Sequence, residues 1–150
     1  MLGDKIRSLK LQEPLTVPSG SSVRQVIETV QQHQAGAVLV CEDRRPVGIM
    51  TERDVLMKIV ARDVSYDEPV EKFMTPVPET LTGESTIGEA ISLMNRKGFR
   101  NIPIVDAGTG EATALFRIAD IIHHLAESFP AHVLNLPPRS DQQMKTSEGA

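Results

Sequence analysis

The chain of 150 residues is 40% hydrophobic and carries a net charge of −4 at pH 7, with acidic and basic residues interspersed. It has no Trp, a single Tyr and no basic stripe, which argues against a nucleic-acid-binding surface. No apolar run reaches the roughly 20 residues of a membrane span, and the N-terminus has no signal-peptide core. The single cysteine, Cys41, excludes an internal disulfide framework. We therefore expect a cytoplasmic protein with no membrane partner.

The first predicted unit runs from residue 15 to residue 60. An extended segment at 15–17 leads through Gly- and Ser-rich turn residues into a helix, which opens on a capping-box pattern at Ser22 and Gln25. The apolar residues of this helix recur at i, i+3, i+4 and i+7: Val23, Val26, Ile27 and Val30. Two short apolar strands follow at 37–41 and 47–50. A second helix closes the unit, with Val55, Leu56, Ile59 and Val60 on one face.

The same order of elements then returns. With a shift of 64 residues, Thr16 aligns with Thr80 and Val40 with Ile104, and a longer turn raises the shift to 66, so that Asp54 aligns with Asp120. The second copy has an extended segment at 80–82, strands at 102–105 and 112–116, and a capping box at Thr86 and Glu89. Its two helices present the following apolar residues: Ile87, Ala90, Ile91 and Met94, then Ile118, Ile121, Ile122 and Leu125.

This duplication predicts the fold class. A repeat of this length indicates two copies of one supersecondary unit that bury their apolar faces together. We predict an α/β protein of the α+β type, with two β-α-β-β-α repeats at 8–66 and 67–130 packed as a pseudo-two-fold pair. The polar, Pro-rich connector between them carries Val70 and Phe73 as expected anchors. A C-terminal extension at 131–150 is predicted to be partly disordered, since it is polar and has no periodicity beyond Pro138.

The junction "PVGIMTERDVL" has the chemistry of a nucleotide site. A helix N-terminus attracts phosphate through its unpaired N–H groups and its dipole. Thr51 adds a hydroxyl, the Arg53 guanidinium suits phosphate oxygens, and the acceptor-only carboxylate of Asp54 suits two vicinal ribose hydroxyls. Gly48 would let a ligand approach the strand closely. The alternative is that Thr51 and Asp54 only cap the helix.

The sequence resembles tandem cystathionine β-synthase (CBS) domains, the paired unit also called a Bateman module, over roughly residues 8 to 130. The resemblance rests on the junction above and on the second-repeat opening "FMTPVPETLTGESTIGEAISLMNRKGFRNIPIVD". It implies an adenosine-containing ligand between the repeats: AMP, ADP or ATP, with S-adenosylmethionine and NAD-type molecules as the other candidates. It also implies a flat homodimer formed through the helices, and an effector protein that receives the signal.

The resemblance also assigns the residues of one repeat that face a nucleotide held by the other. For the site at Thr51 and Asp54 these are the following: Thr80, Ser85, Ala90, Phe99, Arg100 and Asn101. Asn101 would read the adenine edge, and Phe99 or Arg100 would cover its face. For the second junction the matching residues are small: Thr16, Ser21, Val26, Ala35, Gly36 and Ala37.

The second junction, "ATALFRIADIIHHL", departs from the family pattern. Ala114 stands where the first copy has glycine, Arg117 replaces the hydroxyl residue, and Asp120 is retained. Arg117 either binds a phosphate or fills the cleft and pairs with Asp120. We therefore expect one competent site per chain, at Thr51 and Asp54, with a second in doubt.

The remaining candidates point away from catalysis. The four histidines lack partners at metal-ligand spacing, so no metal site is predicted, and no positioned acid–base pair or P-loop is present. We predict a regulatory module that needs no cofactor, is not an enzyme, and reports an adenine nucleotide by a change in conformation or partner affinity. The alternative is a dimeric scaffold that binds no ligand.

Overall fold

Two β-sheets, one from each repeat, form the framework of the computed structural model, which describes residues 1–77 and 79–128. The strands are β1 (Thr16–Pro18), β2 (Ala37–Glu42), β3 (Arg45–Thr51), β4 (Thr75–Pro76), β5 (Leu81–Thr82), β6 (Asn101–Val105) and β7 (Ala112–Arg117). The helices are α1 (Val23–His33), α2 (Glu52–Asp54), α3 (Ile87–Lys97) and α4 (Ile118–Ser128). The predicted α/β fold class is confirmed.

Strand pairing repeats between the two sheets. The first sheet has the order β1-β2-β3-β4 and the second the order β5-β6-β7. In each, the first strand is parallel to the second and the second is antiparallel to the third. The register shifts between Val40 and Cys41 and again between Ile104 and Val105, which are equivalent positions. The internal repeat seen in the sequence is therefore also a repeat of strand register.

Each sheet has a helix-covered face. In the first repeat, Val38, Val40 and Met50 point to this face and form one buried cluster with residues of α1 and with Ile59. In the second repeat, Ile102 and Phe116 are buried in the equivalent way. Because side chains alternate along a strand, the intervening residues lie on the opposite face of each sheet, away from the helices.

Each repeat is completed by a segment from elsewhere in the chain. The N-terminal strap, residues 1–9, packs on the second repeat, where the Ile6 N–H donates to the Ser85 carbonyl at 2.8 Å. The middle strap, residues 65–74, packs on the first repeat, where the Val70 N–H donates to the Ser21 carbonyl at 2.9 Å. The side chains of Ile6 and Val70 are 1% and 0% exposed, which confirms the anchor predicted at Val70. The boundary at 66/67 stays a prediction, but the packing crosses it in both directions.

The segment after α2 differs from the predicted α-helix. Residues Val55–Val60 form a π-helix, with the Ala61 N–H bound to the Leu56 carbonyl at 2.9 Å. Bonding from i to i+5 widens the turn, so residues three apart turn away from each other and the apolar residues divide between two faces. Ile59 is fully buried, whereas Leu56 and Val60 are 57% and 49% exposed. The prediction that all four apolar residues share one face is wrong in this respect.

The predicted helix starts are confirmed at α1 and α3. At α3, the Thr86 hydroxyl accepts from the Glu89 N–H at 3.1 Å and the Glu89 carboxylate accepts from the Thr86 N–H at 3.2 Å, a complete capping box. At α1, the Ser22 hydroxyl accepts from the Gln25 N–H at 3.2 Å, and this is the half of the box that forms among the described residues.

The hairpin turns of the two repeats touch. The Ala112 N–H donates to the Arg44 carbonyl at 2.9 Å, and Arg45 Nε donates to the Thr109 carbonyl at 2.8 Å. The second turn is held by Asp106, whose Oδ1 accepts from the N–H groups of Thr109 and Gly108. These bonds, the one from Thr109 first, lower the pKa of Asp106 below its ordinary value. The contact ties the repeats together at the turn end of the strands.

The chain divides into two compact units, residues 1–118 and 119–150. Of the second unit, the structure describes residues 119–128, which continue α4. The predicted extension at 131–150 lies outside the described residues. Among those described, no helix combines the length and the apolar character needed to cross a bilayer.

Candidate functional site

The junction between β3 and α2 is a complete capping box. The Thr51 hydroxyl accepts from the Asp54 N–H at 3.1 Å, and Asp54 Oδ2 accepts from the Thr51 N–H at 3.0 Å. Thr51 and Asp54 therefore cap the helix, as the alternative interpretation predicted. Both can still bind a ligand, since a hydroxyl that accepts a hydrogen bond still has a proton to donate and a carboxylate offers about four lone-pair sites.

The basic residues of this junction have different surroundings. Lys58 Nζ lies 3.4 Å from Asp54 Oδ1 and donates to the Phe73 carbonyl at 2.9 Å. The Arg53 side chain is exposed and makes no ion pair within the described part of the chain. Arg53 is thus accessible to an anion, whereas Lys58 is already held by two protein groups.

The reason for a glycine at position 48 is different from the one predicted. A Cβ at Gly48 would overlap the thioether of Met74, which packs against the strand there. Gly48 is buried and shares the helix-covered face with Met50. The missing side chain makes room for Met74, so Gly48 does not provide a close approach for a ligand in this structure.

The first cleft is narrow. It lies between the β3–β4 side of the first repeat and β6, and its volume is about 30 Å³. That is room for roughly two water molecules. The following residues line it: Ile49, Thr75, Pro76, Val77, Glu79, Phe99, Asn101 and Pro103. Of the predicted base-side residues, the structure brings Phe99 and Asn101 together here.

The other predicted residues of the first site are more dispersed. Thr80 precedes Leu81, which pairs with Ile104 close to the cleft residue Pro103. Ser85 follows β5, whose parallel pairing with β6 places that turn at the far end of β6 from Asn101. The Ser85 hydroxyl accepts from the Thr82 N–H at 3.2 Å, which is a turn-stabilising role. Arg100 is exposed, and Ala90 is fully buried within α3.

The second cleft is open. It has a volume of about 300 Å³, at the lower end of the range for small-molecule pockets. The first repeat contributes Ala35, Gly36 and Ala37, and the second contributes Leu115 and Arg117. The prediction that small residues leave room here agrees with this volume, and Arg117 borders the cleft without filling it.

The size difference has a simple cause. Phe99 aligns with Ala35 under the repeat shift, Arg100 with Gly36 and Asn101 with Ala37. The half-buried Phe99 ring lines the first cleft, where its counterpart in the second cleft is a methyl group. The sequence favoured the first site because of its junction residues, but the structure gives more room to the second.

Three predicted residues of the second site lie elsewhere. Thr16 is on β1 and lines a neighbouring cavity of about 460 Å³, which also includes Cys41 and Arg44. Burial raises the pKa of the Cys41 thiol. Ser21 is buried at the far end of β2 from Ala37, and its hydroxyl donates to the Pro18 carbonyl at 2.6 Å. Asp120 lies in the first turn of α4.

The linker residues before β1 also belong to the site, although the sequence motifs did not predict them. Gln12, Glu13, Pro14 and Leu15 line the second cleft. Their counterparts under the repeat shift include Pro76, Val77 and Glu79 of the first cleft. The repeat alignment could therefore have predicted these residues, because it places two linkers at equivalent positions, each leading into the first strand of a repeat.

The comparisons with known proteins identify the family. The CBS domain model matches residues 6–61 and 70–127. The chain belongs to the CBS domain family. The CBS resemblance predicted from the junction residues is confirmed, and the two matches coincide with the two repeats.

Relatives span prokaryotes and plants. An uncharacterised 17.7 kDa protein of Acidianus ambivalens is 27% identical over 84% of this chain and 76% of its own length. The CBS domain-containing protein CBSCBSPB5 of Arabidopsis thaliana is 31% identical over 73% of this chain, which spans only 20% of that relative. The chain thus corresponds to a fraction of the larger plant protein.

Solved structures show the same fold. An uncharacterised conserved protein from Pyrococcus horikoshii has a TM-score of 0.72 and 21% identity, covering 93% of this chain and 99% of that one. A CBS domain protein from Pyrobaculum aerophilum complexed with AMP has a TM-score of 0.71 and 23% identity, covering 82% and 98%. A CBS-domain protein from Agrobacterium tumefaciens has a TM-score of 0.68 and 28% identity, covering 81% and 98%.

Proposed function

We propose that this chain is a regulatory module that binds an adenine nucleotide of the AMP, ADP or ATP type between its two CBS repeats. Binding is read out as a change in conformation or in affinity for an effector protein. CBS domains are in general regulatory units, and we propose no catalytic role here. AMP is bound by the relative from Pyrobaculum aerophilum, which supports an adenine nucleotide as the first ligand to test.

One observation carries the proposal: an open cleft of about 300 Å³ bounded by both repeats and bordered by a cation. The side of the cleft at the start of β2 is made of Ala35, Gly36 and Ala37, whose small side chains leave room for a ring. Arg117 ends β7, and its planar guanidinium suits phosphate oxygens. A ligand that touches both repeats stabilises one arrangement of the pair by its differential affinity.

The first site remains part of the proposal in a different form. Thr51 and Asp54 have the right chemistry for a ribose, but neither lines the first cleft, which holds only about 30 Å³. Occupation of the first site therefore requires the cleft to widen. We propose that the second cleft binds first, with the first site taking a nucleotide only after Phe99 or the linker wall moves.

A thermal-shift screen with AMP, ADP, ATP, S-adenosylmethionine and NADH tests the function. A nucleotide at about 100 times its dissociation constant adds about 2.7 kcal/mol to the free energy of unfolding. Arg117→Met should weaken binding roughly ten- to hundredfold, the value of a charge-assisted hydrogen bond. Arg96→Met, an exposed arginine in the last turn of α3, is the matched control and should bind as the wild type does.

The competing function is a dimeric scaffold that binds no ligand. Two observations favour it: Thr51 and Asp54 already satisfy each other, and Leu56 and Met57 are 57% and 53% exposed on the π-helix. If no ligand in the screen stabilises the protein and the chain still forms a dimer, the scaffold replaces the nucleotide sensor as the function.

A further inference from the structure

Lys58 connects two parts of the molecule that the proposed function would need to couple. It lies one turn after Asp54, and its Nζ is 3.4 Å from Asp54 Oδ1. The same ammonium group donates to the Phe73 carbonyl in the middle strap at 2.9 Å. Both side chains of the pair are partly buried, with exposed fractions of 35% for Lys58 and 19% for Asp54. One cation therefore bridges the carboxylate proposed for the ribose and the backbone of a different segment.

The Phe73 carbonyl lies where the middle strap becomes the wall of the first cleft. The next residue, Met74, packs its thioether on Gly48. Thr75 and Pro76 then form β4, which pairs with Ile49 and Gly48, and both line the cleft with Val77. A group that holds Phe73 in place therefore also holds the start of this wall.

We propose, building on the nucleotide-binding function above, that Lys58 is a latch that keeps the wall of the first cleft closed. The latch is strong at one end and weak at the other. The bond to Phe73 has ordinary hydrogen-bond length, whereas the 3.4 Å approach to Asp54 is longer than a charge-assisted bond of 2.7–2.9 Å. The contact with Asp54 is therefore the one that a competing donor displaces.

A ribose would act on the weak end. Vicinal hydroxyls donate to the Asp54 carboxylate and take up lone pairs that Lys58 now uses. Lys58 then loses the charge partner that fixes its four-carbon stem, and the Phe73 carbonyl loses a fixed donor. Occupation of the first site is thereby converted into greater mobility of residues 73–77, which would be the conformational signal.

Hydrogen exchange of residues 73–77 in the full chain tests the latch. The reporting amides are those of Met74 and Val77, which bond to the carbonyls of Val70 and Val47 at 2.9 and 3.2 Å. Without nucleotide, Lys58→Met should speed exchange of these amides at least several-fold, because the bridge is lost. Lys58→Arg should restore slow exchange, since a guanidinium can reach both partners.

The matched control is Lys72→Met. Lys72 also pairs with an acid four residues away, Glu68 at 2.7 Å, but within the described part of the chain its side chain makes no hydrogen bond or ion pair with the cleft wall, and it is mostly exposed. It should leave exchange at Met74 and Val77 unchanged. AMP, at a concentration that fills both clefts, should raise exchange at these amides in the wild type, and should have no such effect in Lys58→Met or Asp54→Ala.

The outcomes separate the latch from the nucleotide function. If AMP fills both clefts of the wild type but does not change exchange at residues 73–77, the latch is wrong and the nucleotide function stands. Equal exchange in Lys58→Met and Lys72→Met without nucleotide also overturns the latch. If no nucleotide stabilises the wild type, the proposed function fails and the ribose-driven release fails with it.

Discussion

At the residue scale, the two clefts differ because equivalent positions hold side chains of different volume. Phe99 lines the narrow cleft, and Ala35 lines the open one. The two positions are related by the shift of 64 residues, so they are equivalent in the two repeats and their side chains can be exchanged by mutation. The Phe99 ring takes up space that the Ala35 methyl group leaves open, and in a close-packed protein such a difference in side-chain volume is felt directly.

Exchanging the two side chains should exchange the properties of the clefts. We expect one tight and one weak nucleotide site per chain in the wild type, two tight sites in Phe99→Ala, and a lost or strongly weakened second cleft in Ala35→Phe. The number of nucleotides bound, measured by isothermal titration calorimetry, checks this. Binding by Ala35→Phe with the affinity of the wild type would place the nucleotide outside the second cleft. Circular dichroism of each variant controls for folding.

At the element scale, the straps show how two similar surfaces are kept distinct. The backbone bonds are equivalent, but the charges are not. Lys5 and Arg7 of the N-terminal strap pair with Glu84, at 2.6 and 3.1 Å. At the equivalent place on the first repeat, Glu71 of the middle strap accepts from the Gly20 N–H and the Ser19 hydroxyl. Glu71 would be repelled by Glu84, so the charges favour the observed docking over the reverse.

The pKa values of Glu71 and Glu84 are both lowered by the contacts that the straps make. The hydrogen bond from Lys5 is the largest cause that lowers the pKa of Glu84, and the bond from Gly20 is the largest that lowers the pKa of Glu71. A carboxyl group whose pKa is lowered by folding contributes stability above its unfolded pKa and loses it as the pH falls through the lowered value. Both straps should therefore hold less firmly in acid.

Charge reversal on the second repeat should loosen the N-terminal strap. Glu84→Arg places a third cation beside Lys5 and Arg7, and we expect a lower urea midpoint that recovers when Lys5→Glu and Arg7→Glu are added. The loss should shrink in high salt because exposed charges are screened. Arg96→Glu, at another exposed site, is the control. A loss that neither salt nor the added reversals reduce would mean that Glu84 acts by packing.

At the scale of the whole molecule, several apolar residues of the helical segments are exposed to solvent. Leu56, Met57 and Val60 form a patch on the π-helix. On α4, Ile118 and Ile122 are four residues apart and therefore share a face, and both are exposed. Exposed apolar patches of this kind mark interaction surfaces, and we propose a homodimer formed through the helices.

The dimer is tested by a matched pair of leucines. Leu56 and Leu2 have nearly the same exposure, 57% and 58%, but Leu2 lies on the N-terminal strap. Leu56→Lys should yield a monomer in light scattering coupled to size exclusion, because a charge would be buried in the interface. Leu2→Lys should remain dimeric. A wild type that is monomeric at all concentrations would argue against the interface.

The sequence by itself determined the duplication, the order β-α-β-β-α, the caps at Ser22, Thr86 and Thr51, and through them the family. These features depend on neighbouring residues along the chain, so local patterns suffice to predict them. The polar, Pro-rich connector also identified Val70 as an anchor, because it is one of the few apolar residues in that segment.

Only the tertiary structure decided which cleft is open, where each strap docks, and that Gly48 makes room for Met74. Ser21 and Ser85 illustrate the limit: a parallel first strand carries the turn that follows it to the opposite end of the sheet from Ala37 and Asn101. Such outcomes depend on which distant side chains meet and how much volume they leave. The linear pattern of one sequence does not contain that information, because the meeting residues are far apart along the chain.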